Sequence, residues 1–196
     1  IPRGYIVDGQ RGIKDPIGMT GVRLEVDAYI IQAPTSQIKN ITKAIYRTML
    51  DIDDLVLGIL ATAEAVTNER QRELGVAVVS IGGSTTSCAI FEEEELLTVG
   101  MFPIGSERIT NDLAIGLRTS IDVAERVKLS HGSAAPKTFG KNEVIDLAEF
   151  GADVSEKVSK KYIAEIIEAR AEEILASVEK LMKKIGRVGM LPAGVL

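Results

Sequence analysis

The stretch GVAVVSIGGSTTSCAIFE, Gly75 to Glu92, decides how the rest of the chain is read. Val76 to Ile81 is an apolar run rich in valine, and Cys88 to Phe91 is a second apolar run. β-Branched residues favour strands, and paired glycines let a backbone turn where a Cβ would clash. The segment therefore reads as strand, glycine turn, strand, with small hydroxyl residues at the tip. A tip that presents backbone N–H groups and hydroxyls together can hold a phosphate; the alternative is an ordinary hairpin, which is what most glycine turns are.

Bulk composition narrows the field. At 196 residues the chain suits one large domain or two small ones. It is 45% hydrophobic but only 4% aromatic, without tryptophan, so its core is aliphatic. A net charge of −5 argues against a broad nucleic-acid surface. The single cysteine, Cys88, excludes an internal disulfide and lies in a predicted strand, where a buried, inert thiol is expected. The single histidine, His131, precedes Gly132 at an expected helix end, and with so few soft ligands a zinc site is not expected. No run approaches the roughly 20 apolar residues of a membrane-spanning helix. No signal peptide is visible, and the ends read as those of a fragment: Ile1 is not methionine, and Leu191 to Leu196 begins a strand that stops abruptly.

Outward from the hairpin, the elements follow from periodicity and turn chemistry. Ile1 to Val7 is strand material, and Asp8-Gly9-Gln10 and Asp15-Pro16-Ile17-Gly18 are turns. Val22 to Ile31 alternates, which predicts a half-buried antiparallel strand with Val22, Leu24, Val26, Ala28 and Ile30 inward. Ser36 is the expected N-cap of an amphipathic helix carrying Ile38, Ile41, Ile45 and Met49. Leu55 to Leu60 reads as a short buried strand, Ala61 to Val66 as small and helix-forming, and Asn68 to Leu74 as a polar link.

Beyond the hairpin, Glu92 to Glu95 is a solvated acidic turn and Leu96 to Ile104 a third strand. Ser106 and Ser120 are the expected N-caps of two helices, with Ile109, Leu113 and Leu117 inward on the first and Val123, Val127 and Leu129 on the second. Glu125, Arg126 and Lys128 are the second helix's polar residues, either solvated or reaching into a cleft. Ser133 to Gly151 is irregular, with short apolar patches that suggest a small β-rich lobe. A helix then runs from about Ser159 to Ile185, roughly 40 Å, with Ser155 as an alternative cap and Gly186 at its C′ position. The result is a mixed α/β architecture in which several strands pair antiparallel.

Five blocks in order carry a resemblance: PRGYIVDGQRGIKDPIGMTGVRLEVDAYII, DDLVLGILATAEAV, VVSIGGSTTSCAIF, PIGSERITNDLAIGLRTSIDVAERVKLSHG and KKYIAEIIEARAEEI. Together they resemble the FtsA family of actin-like bacterial cell-division proteins over nearly the whole chain. The resemblance implies an incomplete α/β, actin-like ATPase (ribonuclease H-like) fold. Residues 1–33 would be the end of an inserted small (SHS2) subdomain and 34–74 the return to the first lobe. Residues 75–196 would be the second lobe, its outer part about 116–180.

For function, the resemblance implies a cell-division scaffold on the cytoplasmic side of the membrane at the division site. It would bind ATP and Mg²⁺, polymerise, meet other divisome proteins, and tether the C-terminal tail of FtsZ near Ser133 to Val158. Its membrane anchor would lie outside this chain. The implied nucleotide contacts are Gly82, Gly83, Ser84, Thr85 and Thr86 in the phosphate loop, and Glu125 and Lys128 toward the nucleoside.

Three positions depart from the family pattern. Ser80 and Ser87 stand where aspartates are usual, and Ser84 replaces a third glycine. Ser80 could hold a Mg²⁺-bound water through its hydroxyl, without a negative charge. A charge-assisted hydrogen bond is about twice as strong as a neutral one, so losing the charge costs on the order of tenfold in metal affinity or rate. The segment Gly58-Ile59-Leu60 has no acidic residue either, and no general base is evident nearby. Nucleotide binding with weak or absent hydrolysis is therefore expected. The alternatives are a PilM-type pilus-assembly ATP-binding protein, and a sugar kinase or polyphosphate phosphatase of the same superfamily.

Overall fold

The computed structural model describes residues 1–140 and 142–196; Lys141, in the stretch expected to be irregular, lies outside the described residues. The chain divides into two compact units, Ile1–Gly58 and Ile59–Leu196.

The first unit holds three strands and a helix: β1 (Pro2–Val7), β2 (Gln10–Ile13), β3 (Leu24–Ala28) and α1 (Thr35–Tyr46). The strands form an antiparallel sheet in the order β2-β1-β3. Asp8 and Gly9 join β1 to β2 with positive φ at both positions, the backbone of a two-residue hairpin turn. The Asp8 carboxylate accepts hydrogen bonds from the amides of Val22 and Arg23, which fixes the approach to β3.

Three expectations fail in this unit. The alternating strand is shorter than 22–31, and its apolar face is open: Val22 is fully exposed, and Leu24 and Val26 are about half exposed. Period-two alternation marks a face able to pack, but another element must come to cover it. Pro34, not Ser36, occupies the N-cap of α1, and its side chain makes no capping bond. Met49 sits beyond the helix with φ of 64° and is exposed.

Helix α2 (Gly58–Val66) starts at the last residue of the first unit and lies otherwise in the second, followed by α3 (Glu69–Leu74). Here too the expectation is corrected. Leu55 and Val56 are exposed loop residues, and the apolar run from Gly58 is helical rather than a strand; short apolar runs do not distinguish the two by periodicity. Asn68 to Leu74 is no plain link. Asn68 accepts from the Gln71 amide while the Gln71 side chain accepts from the Asn68 amide, a reciprocal capping box.

Next comes an antiparallel sheet of β4 (Val76–Ile81), β5 (Thr86–Glu92) and β6 (Glu95–Phe102). The C-terminal segment adds a parallel bridge on the far side of β4, Ala77 beside Val195, with the Leu196 amide donating to the Ala77 carbonyl. The buried strand expected from Leu191 is corrected: residues 191–194 are turn and loop, a single bridge forms at Val195, and Val195 and Leu196 are exposed.

Three helices and a further antiparallel pair follow: α4 (Ser106–Gly116), α5 (Ile121–His131), the pair β7 (Val144–Asp146) with β8 (Lys157–Ser159), and α6 (Lys160–Lys184). Two apolar clusters meet along α6. Its N-terminal half contributes Ile163 and Ile167 to a core with Leu113, Val123, Val127 and Leu147. Its C-terminal half lays Val178, Leu181 and Met182 against Ala77, Cys88 and Ile90 of the sheet. Gly100 opens the space, because a Cβ there would stand 2.6 Å from Leu181 Cδ2. The helix ends as expected: Gly186 has φ of 67°, its amide donates to Lys183, and the Arg187 amide reaches back to Met182. Ser155 caps nothing; its hydroxyl donates to Asp146.

Candidate functional site

Residues 82–85 connect β4 to β5. The Gly82 amide donates to the Thr85 carbonyl at 2.8 Å, closing the turn. Gly82, Gly83, Ser84 and Thr85 are all exposed. The amides of Gly83, Ser84 and Thr85 have no acceptor among the described residues. Thr86 differs from its neighbours. It is fully buried, and its hydroxyl donates to the Ile104 carbonyl at 2.7 Å, so it braces the loop from below.

Helix α4 starts against this turn. The N-cap is Gly105 and not the expected Ser106, and no side chain caps the helix. Instead the Ser106 and Glu107 amides donate to the Gly82 and Gly83 carbonyls, each at 2.9 Å. The hairpin tip itself satisfies two of the four N–H groups that a helix N-terminus leaves open. Only glycine fits at 105, since a Cβ would lie 2.4 Å from the Gly83 oxygen and 2.5 Å from the Gly82 oxygen. With those carbonyls turned into the helix, the loop's free amides are what remain to meet an anion.

One turn further along α4 stands Thr110, which ties in α5. The Ser120 hydroxyl caps α5 by accepting from Val123, as expected. Leu129, expected inward, is exposed, whereas Val123 and Val127 are buried. Lys128 Nζ lies 2.6 Å from Glu125 Oε2 and donates to Thr110 Oγ1 at 2.8 Å. Thr110 Oγ1 in turn lies 2.5 Å from the same Glu125 oxygen. The hydrogen bonds from Lys128 and Thr110 hold the Glu125 carboxyl below the usual carboxylate range. The phosphate-loop candidates and the Glu125–Lys128 pair, far apart in sequence, are thus linked through the first turns of α4.

Ser80 and Ser87 are directly opposed in the β4–β5 ladder and half-buried, just below the tip. No group of three or more His, Cys, Asp or Glu residues suited to a metal occurs among the described residues. That donor set still fits Mg²⁺, which keeps several waters and takes one or two protein ligands beside the phosphates of a nucleotide. The turn offers such a group two exposed glycines and three open amides. Sequence reading missed one carboxylate here. Glu107 Oε1 lies 3.1 Å from where a Gly83 Cβ would stand, so the side chain folds over the loop.

The remaining singled-out residues are structural. Cys88 is buried, and desolvation pushes its thiol up to about 11. His131 packs edge-on against Phe150, ring centroids 5.4 Å apart. In the outer part of the unit, two shallow hollows of about 260 and 320 Å³ flank β8; Arg118 and Asp153 line the first, Lys157 and Tyr162 the second. Among the described residues no helix is long and apolar enough to cross a membrane.

An antiparallel three-stranded sheet extended by a parallel bridge, one face covered by a long helix and a glycine turn at its rim, places the chain among proteins with an actin-like fold. A chain of a PilM–PilN type IV pilus biogenesis complex has a similar structure, with a TM-score of 0.55 at 16% identity over 81% of this chain and 40% of that one. At that identity the likeness is one of fold alone.

The sequence is more specific. The family described as Cell division protein FtsA matches residues 77–193, and the SHS2 domain inserted in FtsA matches residues 1–32. The chain belongs to the FtsA family. It is 35% identical to the cell division protein FtsA of Pseudomonas aeruginosa over its whole length, covering 47% of that protein. It is 37% identical to the Bacillus subtilis FtsA over 99% of its length, covering 44% of that protein. The chain thus spans about half the length of the curated relatives it matches.

Proposed function

We propose that this chain is the nucleotide- and partner-binding part of a cell-division scaffold. In this reading the scaffold binds ATP with Mg²⁺, polymerises, and tethers FtsZ filaments to the cytoplasmic face of the membrane at the division site. The observation that carries it is the exposed turn at Gly82 to Thr85, with three open amides, coupled through Thr110 of α4 to the cation of Lys128. Open amides on a turn form a concave, positively polarised cradle for phosphate. Gly82, Gly83, Ser84 and Thr85 touch the phosphates, Thr86 holds the loop in place, and Glu125 and Lys128 lie toward the nucleoside. Ser80, with Ser87 opposite, positions Mg²⁺-bound water through neutral hydroxyls. Binding then outlasts turnover, because no serine hydroxyl supplies the charge or basicity that drives water onto a phosphate.

The FtsZ tail is assigned to the outer part, where the hollows beside β8 offer it a seat. Residues 1–33 are assigned to the inserted subdomain, 34–74 to the end of the first lobe and 75–196 to the second lobe. The test uses the full-length protein, sedimented with FtsZ filaments and lipid vesicles, with and without ATP. Co-sedimentation that is lost on deleting the FtsZ tail supports the scaffold; none under any nucleotide condition overturns it. A pilus-assembly role has only the likeness of fold in its favour.

A further inference from the structure

We propose that Glu107 supplies the carboxylate of the nucleotide site, receiving a divalent cation between itself and the phosphates held by the hairpin tip. This rests on the nucleotide reading above.

The two strand positions nearest the tip, Ser80 and Ser87, are neutral, so the sheet brings no negative charge to the metal. The charge arrives instead from across the turn. Glu107 is the second residue of α4, and its amide donates to the Gly83 carbonyl at 2.9 Å, which pins its backbone to the loop. Its side chain then lies on the same glycine, with Oε1 3.1 Å from the place of a Cβ. The carboxylate is exposed and has no ion-pair partner among the described residues. It therefore sits, uncompensated, over Gly83, one of the three residues whose amides are open.

Such a carboxylate has one of two effects on a bound triphosphate. With no cation present, like charges a few ångströms apart repel, and binding is weakened. With Mg²⁺ present, the Glu107 carboxylate and the Ser80 and Ser87 hydroxyls would hold the cation or its waters, and the same charge would become attractive. Glu107 thereby makes nucleotide binding conditional on the metal. An ordinary acid in a helix's first turn, interacting only with the helix dipole, would have no such effect on a ligand.

The two are told apart by measuring ATP affinity of the full-length protein in Mg²⁺ and in EDTA, for the wild type and for Glu107→Gln. The ratio of the two affinities should fall about tenfold in the variant, because a charge-assisted contact becomes a neutral one. It should fall from both sides: weaker binding in Mg²⁺ and tighter binding in EDTA. Glu107→Lys should bind ATP nearly as well in EDTA as in Mg²⁺. In a second readout, Mn²⁺ added with ATP should give an immobilised electron-spin signal in the wild type that weakens in Glu107→Gln. If the wild type binds ATP but Glu107→Gln leaves the Mg²⁺ dependence unchanged, Glu107 is only a first-turn acid and the proposal is wrong. If the wild type binds no ATP in either buffer, the nucleotide reading itself fails.

Discussion

Arg170 on α6 grips Asp112 on α4 with two parallel hydrogen bonds, Nε to Oδ2 at 2.6 Å and Nη2 to Oδ1 at 3.0 Å. A third nitrogen, Nη1, meets Glu173 on its own helix. The Asp112 hydrogen bonds raise the Arg170 pKa, so the fork stays charged at any working pH. The planar guanidinium is matched to the carboxylate in a way that a lysine ammonium cannot copy. Arg170→Lys should lower stability by about 1 kcal/mol, read as a fall in the urea midpoint with an unchanged slope. Asp112→Asn should do at least as much, since it leaves the half-buried guanidinium short of an anion.

The junction between hairpin and α4 rests on the absence of a side chain at Gly105. Gly105→Ala forces backbone oxygens apart, not the tip of a flexible side chain, so overpacking of roughly 1–3 kcal/mol is expected. Because the displaced oxygens belong to Gly82 and Gly83, ATP binding should weaken along with the thermal midpoint. Loss of stability with unchanged ATP affinity would separate this junction from the nucleotide site.

Glu93 and Glu94 form the two-residue turn between β5 and β6, with φ of 54° and 65°. Their amides donate to the Glu73 and Arg72 carbonyls at the end of α3, which holds the turn in a conformation that suits Asn-Gly far better. Replacing Glu93-Glu94 by Asn-Gly keeps both amides and relieves the left-handed strain. The double variant should be more stable by about 1 kcal/mol, read from the urea midpoint.

Lys128 and Thr110 hold the Glu125 carboxyl below the value a glutamate has in an unfolded chain. A group whose pKa is depressed by folding stabilises the fold above its unfolded value, and that contribution is lost as pH falls through the folded value. The Glu125 contribution should therefore be intact at neutral pH and decline below about pH 4.5. Glu125→Gln should flatten this part of the acid limb of the thermal midpoint against pH, and should leave the curve's shape above about pH 6 unchanged.

With its thiol pushed up to about 11 and wholly buried, Cys88 should not react with a thiol reagent at neutral pH in the native state. Full reaction should appear only with denaturant. Prompt labelling of native protein would mean that the sheet opens against α6 more readily than the packing of Val178 and Leu181 allows.

Features whose cause lies within a few residues were legible in the sequence. The β4–turn–β5 hairpin follows from two valine-rich runs and a Gly-Gly pair, and that register alone sets Ser80 against Ser87. The long helix follows from its apolar stripe, with Gly186 at C′. The Ser120 cap follows from a side chain that bonds three residues on. Readings failed where a neighbour decides. The apolar run at 55–60 is loop and helix, because burial and not periodicity would have marked a strand. Ser106 gives way to Gly105 as N-cap, because the caps of α4 are carbonyls from a turn more than 20 residues away.

Sequence alone therefore determined the family, the hairpin and the long helix, and the glycine turn at the sheet's rim, since local hydrogen bonding and side-chain period act over a single turn or strand. Tertiary structure alone decided that α4 joins the turn to Glu125 and Lys128, that Thr86 is a brace beneath the loop, and that Glu107 lies over Gly83. Those contacts need distant segments to close on one another, and the burial of α6 against both halves of the unit is what closes them.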